Sequence, residues 1–552
     1  MNFEVEIIKL LSKNKIKEPK LSVPARSEFG DLSLACFDLA KKQNNNPVVF
    51  AIELAKKLKP SGLISKIIAV GPYVNFFVDM EKFSTETVND ASNEKFGGHF
   101  VKGNALIEHT SINPNASPHV GRARNALIGD SLVRVLNFAG YDVDVHYFVN
   151  DIGKQIAMLV YVIKDLKKKV SFDEMLQKYI EINGRVLENV TLEKEIFKLL
   201  NKLEHGDRKT KKLFEKVVST CVKGQTDIFA ELGIKYDSFD YESRYIGSKL
   251  LKDTVKKLKK RTFKDEHGRF VLDLKEFNLP MKESVMVLTR EDGTSLYPLR
   301  DLAYNLEKIK WSKGGKNIVV LGEDHKLEYL QIKAALSILK KEAPEVVHYA
   351  FILLPEGKMS TRSGKIVLLT EFMKEAIEKA KIEIRKRHPN IEDRRIEQLA
   401  KIIGYGALRY SILKISAEKN VIFSWDEALN FEGSSAPYIQ YTYVRAKRII
   451  ELTKKVKSAR LIFTSPDEFN LIKEIARFPN IVRDCVRSYQ VHSLAKYAYE
   501  LAFTFNMFYE KCRVSDEPNN DIKMSRLKLV NAYTKIIKKV LYLLGIDTPE
   551  FM

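Results

Sequence analysis

The sequence is poor in cysteine, with Cys36, Cys221, Cys485 and Cys512 the only four among 552 residues. They lie far apart, without a Cys-x-x-Cys or a histidine spacing that suits zinc, which argues against a disulfide framework and a structural zinc site. They read instead as buried thiols of a reducing compartment. Long apolar runs are also missing. None approaches the ~18 residues that a membrane span needs. The opening Met1-Asn-Phe-Glu-Val-Glu-Ile-Ile-Lys-Leu-Leu11 is interrupted by charges, which suits an amphipathic helix rather than a signal peptide. Internal repeats, low-complexity linkers and long heptads are absent as well. These absences point to a cytoplasmic, soluble protein with no membrane partner, and nothing suggests more than a monomer.

Positive charge is what the chain has in excess. Its 92 Lys and Arg outnumber 71 Asp and Glu, giving a formal charge of +21 spread along the whole length. Such a surplus suits a large polyanion, nucleic acid first and an anionic membrane second, although a lysine content serving solubility explains it too. An apolar content of 45% with 30% charged residues is that of an ordinary globular protein. The length exceeds what one core organises, so about two to four domains are expected.

Residues 1–95 read as a first unit, with helical patterns near 46–58 and a strand over 71–79. Strand, helix and strand follow at 104–111, 119–139 and 142–150, the opening of a parallel α/β unit. Residues 160–235 are lysine-rich with a helical period and look like an insertion, and the α/β pattern resumes only after about 285. It then continues as a helix over 296–310, a strand over 317–322, a helix over 327–339 and a strand over 348–354. Beyond about 370 everything reads as helix. There Leu494, Tyr497, Ala498, Leu501, Phe505 and Phe508 make one apolar face. The stretch 249–264 carries eight basic residues and one acid around a stripe of Leu251, Val255 and Leu258. It is either a helix with a solvated basic face or a surface that follows an RNA backbone.

Chemistry enters at His119-Val-Gly-Arg122, where the strand pattern gives way through Asn, Pro and Ser to the helix that stops at Gly140. A helix N-terminus offers free N–H groups and the positive end of the dipole, a ready site for phosphate. His119 can donate there, and Gly121 lets a flat group lie against the backbone. A surface histidine at a capped helix is the plainer alternative. A second basic loop, Glu356-Gly-Lys-Met-Ser-Thr-Arg-Ser-Gly-Lys365, follows the last strand of the α/β pattern. Lys358, Arg362 and Lys365 could swing over a triphosphate, although a basic surface loop is again the simpler reading.

Together, His-Val-Gly-Arg early and Lys-Met-Ser late resemble the two hallmarks of class I aminoacyl-tRNA synthetases, and their surroundings resemble the arginyl-tRNA synthetases. The segments that carry the likeness are Glu108-His-Thr-Ser-Ile-Asn-Pro-Asn115, Ile128-Gly-Asp-Ser131, Val149-Asn-Asp-Ile-Gly-Lys-Gln155 and Gly293-Thr-Ser-Leu-Tyr-Pro-Leu-Arg-Asp-Leu-Ala-Tyr304. Phe431-Glu-Gly-Ser-Ser-Ala-Pro-Tyr-Ile-Gln-Tyr441 and Leu543-Leu-Gly-Ile-Asp-Thr-Pro-Glu-Phe-Met552 extend it to the end of the chain. Two positions depart from the family pattern. Arg122 stands where His-x-Gly-His has its second histidine, and Thr361 where Lys-Met-Ser-Lys has its second lysine. Arginine still supplies phosphate-directed donors of fixed charge. Arg362 and Lys365 could stand in for the missing lysine.

The resemblance implies an α/β Rossmann-like catalytic core with helical insertions, over 96–370 with its insertion at about 160–285. An N-terminal α/β added domain over 1–95 and a helical region over 371–552 accompany it, the latter including an all-α anticodon-binding bundle over about 431–552. It further implies ATP-dependent ligation of L-arginine to tRNA(Arg) through an arginyl-adenylate, with Mg²⁺ accompanying ATP and no dedicated protein metal site. His119, Gly121, Arg122, Lys358, Met359, Ser360, Arg362 and His325 would handle ATP. A satisfied structural histidine is as good a reading of His325.

Guanidinium is a planar fork of donors, so its pocket needs carboxylate. Tyr297 and Asp301, four apart on a helical pattern, match the family's arginine pocket, with Glu242 a second acidic position. Ser111 and Asn113 would take the substrate's α-amino and carboxylate groups. For tRNA the likeness points to Asn75 and Phe76 at the elbow, and to Tyr438, Gln440, Tyr441 and Met552 in a region with 20 basic against 13 acidic residues. A synthetase for another amino acid such as glutamate is disfavoured because Asp301 would repel it. A catalytically silent tRNA-binding homologue is the remaining alternative.

Overall fold

The computed structural model describes residues 3–24, 26–115, 117–166, 170–354, 357–358, 367–453 and 460–552. Two units make up the chain. One comprises Met1–Phe96, Thr442–Asn480 and Glu500–Lys539, the other Gly97–Tyr441, Ile481–Tyr499 and Val540–Met552.

In the first unit the strand Tyr73–Val78 pairs antiparallel with Leu32–Ala35 on one side and Ile64–Val70 on the other, with Leu21–Ser22 beyond Leu32. The helix Pro47–Lys57 starts where its residues dictate. Asn46 caps it by accepting from Val48 N at 2.9 Å, and Pro47 brings a ready-set φ to the first turn. Asp79 caps Met80–Ala91 in the same way through Lys82 N. Farther along the chain in this unit, Phe505 stacks on Tyr533 at 4.0 Å. The apolar face read from Leu494 to Phe508 is buried at all six positions.

The second unit is built on five parallel strands: β1 (Gly103–Glu108), β2 (Tyr141–Val149), β3 (Ser238–Tyr241), β4 (Lys316–Gly322) and β5 (Glu345–Tyr349). Their spatial order is 5-4-1-2-3, so the winding reverses between β1 and β4. A crevice opens at such a switch point, outside the carboxyl ends of the strands. Helix α1 (Val120–Ala139) connects β1 to β2. Helices α2 (Tyr297–Trp311) and α3 (Lys326–Ile338) flank β4 in sequence. Gly140 ends α1 at φ +109°, and a Cβ there would stand 2.4 Å from Val101 O, so neither conformation nor space admits a side chain. Within α1, Gly129 lets the helix pass against His109, whose ring a Cβ would meet at 2.2 Å.

Several expectations change in detail. The segment after β2 is a helical insertion of Lys154–Ile163, Phe172–Glu188, Val190–Glu204 and Arg208–Glu231, but the chain then returns to the core sheet as β3. Four residues including Asp240 show too little alternation to reveal that strand. A small antiparallel sheet of Thr262–Lys264, Phe270–Asp273 and Val285–Val287 follows. The basic stretch is helical only over Lys249–Leu258, burying Leu251, Thr254 and Leu258 and exposing its lysines. The strand read over 348–354 is two strands, β5 and Ile352–Leu354. Buried Arg124 sits at the break, donating to Ala350 O at 2.7 Å and Ser416 O at 2.8 Å, while Ala350 N–H turns to Ala417 O. A buried guanidinium needs such carbonyls, and the sheet gives them up there.

Candidate active site

The crevice has two ends. At one, His119 is the residue before α1, extended at ψ 161°, and its own side chain makes no cap bond. Its Nδ1 is buried without a partner among the described residues. Burial, reinforced by the charge of Arg122, lowers its pKa to about 4, so at neutral pH it is an uncharged ring with one N–H to donate. Arg122 donates its backbone N–H to His119 O at 2.9 Å. Its charge lowers the pKa of His119 and works against protonation of His325.

The second basic loop begins and ends at this same place. Lys358 pairs through its backbone with Leu353, and Leu368 forms a bridge with His119, with Val120 N donating to Val367 O at 3.0 Å and Leu369 N to Pro118 O at 2.8 Å. Met359, Ser360 and Arg362 lie outside the described residues. The backbone thus ties the segment that follows the second basic loop to the start of α1.

The turn between β1 and α1 is held from beneath. Thr110 and Ser111 adopt positive φ of 72° and 44°, a conformation that costs non-glycine residues and persists only when neighbours enforce it. Thr110 N donates to Asn125 Oδ1 at 2.6 Å, and the Tyr147 hydroxyl meets both polar groups of Ile112 at 3.2 Å. Ser111 Oγ accepts from Phe148 N at 3.2 Å and donates to Glu108 Oε1 at 3.3 Å. Asn113 and Asn115 both donate to Gln155 Oε1 at 3.1 Å.

At the other end a narrow cavity of about 50 Å³ is lined by Glu108 and Phe148 from β1 and β2, Val319 and Leu321 from β4, and His325, Glu328, Tyr329 and Ile332 around the start of α3. Helix α2 contributes Tyr297, Asp301, Asn305 and Lys308, spaced 4, 4 and 3 and therefore on one face. Lys308 is buried and donates to Glu108 Oε2 at 2.5 Å, with its ammonium 4.6 Å from the Tyr304 ring centre. His325 Nδ1 lies 2.5 Å from Glu328 Oε2, and this contact raises its pKa against the opposing effect of burial. Asp301 accepts the Asn305 amide at 3.0 Å and has no ion pair among the described residues. Desolvation pushes its pKa to about 7, opposed by Lys308.

Glu242 lies behind this pocket rather than on its lining. Its side chain is fully buried and takes Arg300 Nε at 2.6 Å; with the Asn150 amide turned to donate, Asn150 N reaches it at 3.0 Å. Burial raises its pKa to about 7 despite Arg300. Arg300 also bonds Ser295 O, so the Glu242–Arg300 pair holds the first turn of α2.

Four expected RNA contacts are interior. Phe76 and Asn75 lie on the middle strand of the N-terminal sheet and are buried; Tyr73 is the exposed residue of that strand. Gln440 is buried and donates to Asp547 O at 2.8 Å, which ties the helix start to the end of the chain. Tyr438 is buried, Tyr441 exposed and Met552 half-buried. The sequence reading passed over Glu108 and Lys308. Lys308 lies seven residues after Asp301 on the same face, but nothing local points to Glu108, two hundred residues away.

Comparison with known families accords with this geometry. The model of the class I (R) tRNA synthetase catalytic domain matches residues 92–425, that of the arginyl tRNA synthetase N terminal domain residues 2–78, and that of the DALR anticodon binding domain residues 439–552. An arginine–tRNA ligase of Methanocaldococcus jannaschii is 39% identical over 98% of both chains, and one of Methanothermobacter thermautotrophicus is 38% identical over 98% of this chain and 97% of its own. The solved arginyl-tRNA synthetase of Thermus thermophilus superposes with a TM-score of 0.85 at 25% identity, covering 100% of this chain and 99% of its own. That of Plasmodium falciparum, 21% identical and covering 99% of both chains, shares the fold at a TM-score of 0.83. These matches make the chain a class I synthetase, and it belongs to the arginyl-tRNA synthetase family. Among the described residues no helix is long and apolar enough to cross a membrane, and no cluster of three His, Cys, Asp or Glu could hold a metal.

Proposed function

We propose that the crevice between β1 and β4 joins L-arginine to ATP and then to the terminal adenosine of tRNA(Arg), releasing pyrophosphate and AMP. The arginine carboxylate attacks the α-phosphate in line and pyrophosphate leaves. Positioning and charge neutralisation then carry most of the barrier, because no covalent enzyme intermediate is required. His119 donates to the phosphates as a neutral ring, Gly121 underlies the nucleotide, and the N-terminus of α1 with Arg122 faces the negative charge. His325, at the pocket rim beside Glu328, meets the nucleotide from that side of the crevice. Lys358, with Met359, Ser360 and Arg362, closes over the departing pyrophosphate. Mg²⁺ enters with ATP, held by phosphates and water rather than by a protein cage.

At the other end Asp301 receives the guanidinium, Tyr297 lines its path, and Ser111 and Asn113 meet the α-amino and carboxylate groups. Glu242 acts by holding α2 through Arg300. The observation that carries this reading is the ion-pair pattern of the pocket. Asp301 is a carboxylate without a cation on a face that otherwise pairs its charges. Residues 1–95 and about 431–552 serve tRNA, with Tyr441 the exposed aromatic among the candidate contacts. The protein works as a cytoplasmic monomer, and arginine activation requires tRNA.

ATP–pyrophosphate exchange with arginine, run with and without tRNA, tests the reading. Arginine-dependent exchange that appears only with tRNA is expected. No exchange and no charging of tRNA would mean a silent tRNA-binding homologue, and exchange with another amino acid would overturn the pocket assignment.

A further inference from the structure

The pocket contains more charge than one guanidinium requires. Three carboxylates line it, Glu108, Asp301 and Glu328, together with two cationic groups, Lys308 and His325. Their pairing is uneven. Glu328 is occupied by His325 at the rim, where both are partly exposed. Glu108 is occupied at both oxygens, Oε2 by the Lys308 ammonium and Oε1 by the Ser111 hydroxyl, and this pair is closed off from solvent. Asp301 holds one amide. Asp301 is half-buried, a carboxylate partly withdrawn from water without a countercharge is unfavourable, and a planar monocation of matching shape relieves it. Two such carboxylates would favour a dication or a shared proton instead.

We propose that Lys308 is a positioning residue for substrate selection: its ion pair with Glu108 leaves Asp301 as the pocket's one unmatched carboxylate, so the pocket accepts a single positive charge. This rests on the reading of Asp301 as the guanidinium partner. Lys308 need not touch arginine. Its ammonium is anchored on Glu108 and over the Tyr304 ring, and Tyr304 is itself held by its hydroxyl on Asp240 at 2.9 Å. Without Lys308, buried Glu108 would become a second unmatched anion lining the pocket with Asp301. Glu242 behind the pocket and Glu328 across it act in the same direction, and Lys308 is the cation that opposes them at Asp301. Asp301 would then hold a proton more tightly, and arginine would have to displace it.

The test is a double-mutant cycle of Glu108→Gln and Lys308→Met, read by arginine KM, ATP KM and kcat across pH, with melting temperature as a check on folding. Lys308→Met is expected to raise the arginine KM about tenfold or more, with kcat and ATP KM within about threefold, and to move the acid limb of the arginine KM profile to higher pH. Adding Glu108→Gln should return KM to within about threefold of the unmodified enzyme and restore the profile. The proposal is overturned if Glu108→Gln raises arginine KM equally with and without Lys308, because Glu108 would then receive the substrate itself. It is also overturned if Lys308→Met leaves both KM and profile unchanged. Should Lys308→Met fail to fold, the charge-balanced double variant and Lys308→Arg decide, both expected within about threefold of the original arginine KM; a rise above about tenfold in both overturns the pairing role. Asp301→Ala is measured alongside. An unchanged arginine KM there rejects the site reading, whereas a steep rise combined with an additive cycle rejects only the role of Lys308.

Discussion

The two ends of the crevice are built on different principles. The nucleotide end consists of backbone and short motifs: the start of α1, His119 made neutral by burial, Arg122, and a loop whose two ends meet His119 or the strand beside it. The pocket end consists of side chains brought from β1, β2, β4, α2 and around the start of α3, with every lining carboxylate but Asp301 given a basic partner, Lys308 or His325. A phosphate is recognised by N–H groups that any sequence can offer, so its site needs few particular residues. A guanidinium is recognised by one unmatched carboxylate, so its site depends on the charge balance of many residues.

Substitutions should separate the two ends. The largest expected effect is on the nucleotide side. Lys358→Ala should slow ATP–pyrophosphate exchange by about 10²–10³ while the arginine KM stays within about threefold. An equal change in both constants would mean that the loop also shapes the pocket. Gly140→Ala should destabilise the fold by about 1–3 kcal/mol in denaturant titration, because its φ of +109° and the contact with Val101 O exclude a methyl group. Gly140 lies at the opposite end of α1 from His119, so residual activity should fall through stability and not through either KM.

Acid should act first on the pocket end, which holds both Asp301 and His325. Asp301 titrates at about 7 because it is desolvated, and only its ionised form pairs with guanidinium. Lowering the pH from about 8 to about 6 should therefore raise the arginine KM by about tenfold. His119, already neutral over that interval, should leave the ATP KM nearly flat. The smallest effect concerns stability. A carboxyl raised to about 7 in the folded state costs the fold nothing below the ordinary carboxylate range, increasingly more as pH climbs from there towards 7, and the full penalty above it. Asp301→Asn should thus raise the melting temperature by a few degrees near pH 8 and hardly at all near pH 4. A gain at both pH values would point to a packing cause.

How far the residues reveal their own arrangement follows the same division. His119, Gly140 and the helix between them are legible because cap, period and stop lie within one segment, and Tyr297 with Asp301 because four residues are one helical turn. The Glu108–Lys308 pair is not legible, since only the winding of the sheet brings residues two hundred positions apart together. Phe76 and Gln440 show a related ambiguity: aromatic and amide side chains suit RNA and suit a core equally, and in the fold both are buried. Strand β3 escaped notice because it is short and carries Asp240, whose charge is answered by His146 and Tyr304 from elsewhere in the fold.

The measurement that bears most directly on the division is the pair of KM values for Asp301→Ala in arginine- and tRNA-dependent pyrophosphate exchange. Loss of the one unmatched carboxylate should raise the arginine KM by about two orders of magnitude and leave the ATP KM within about threefold. An arginine KM that does not move, or an ATP KM that rises with it, would contradict a crevice in which one end reads phosphate and the other reads a single charge.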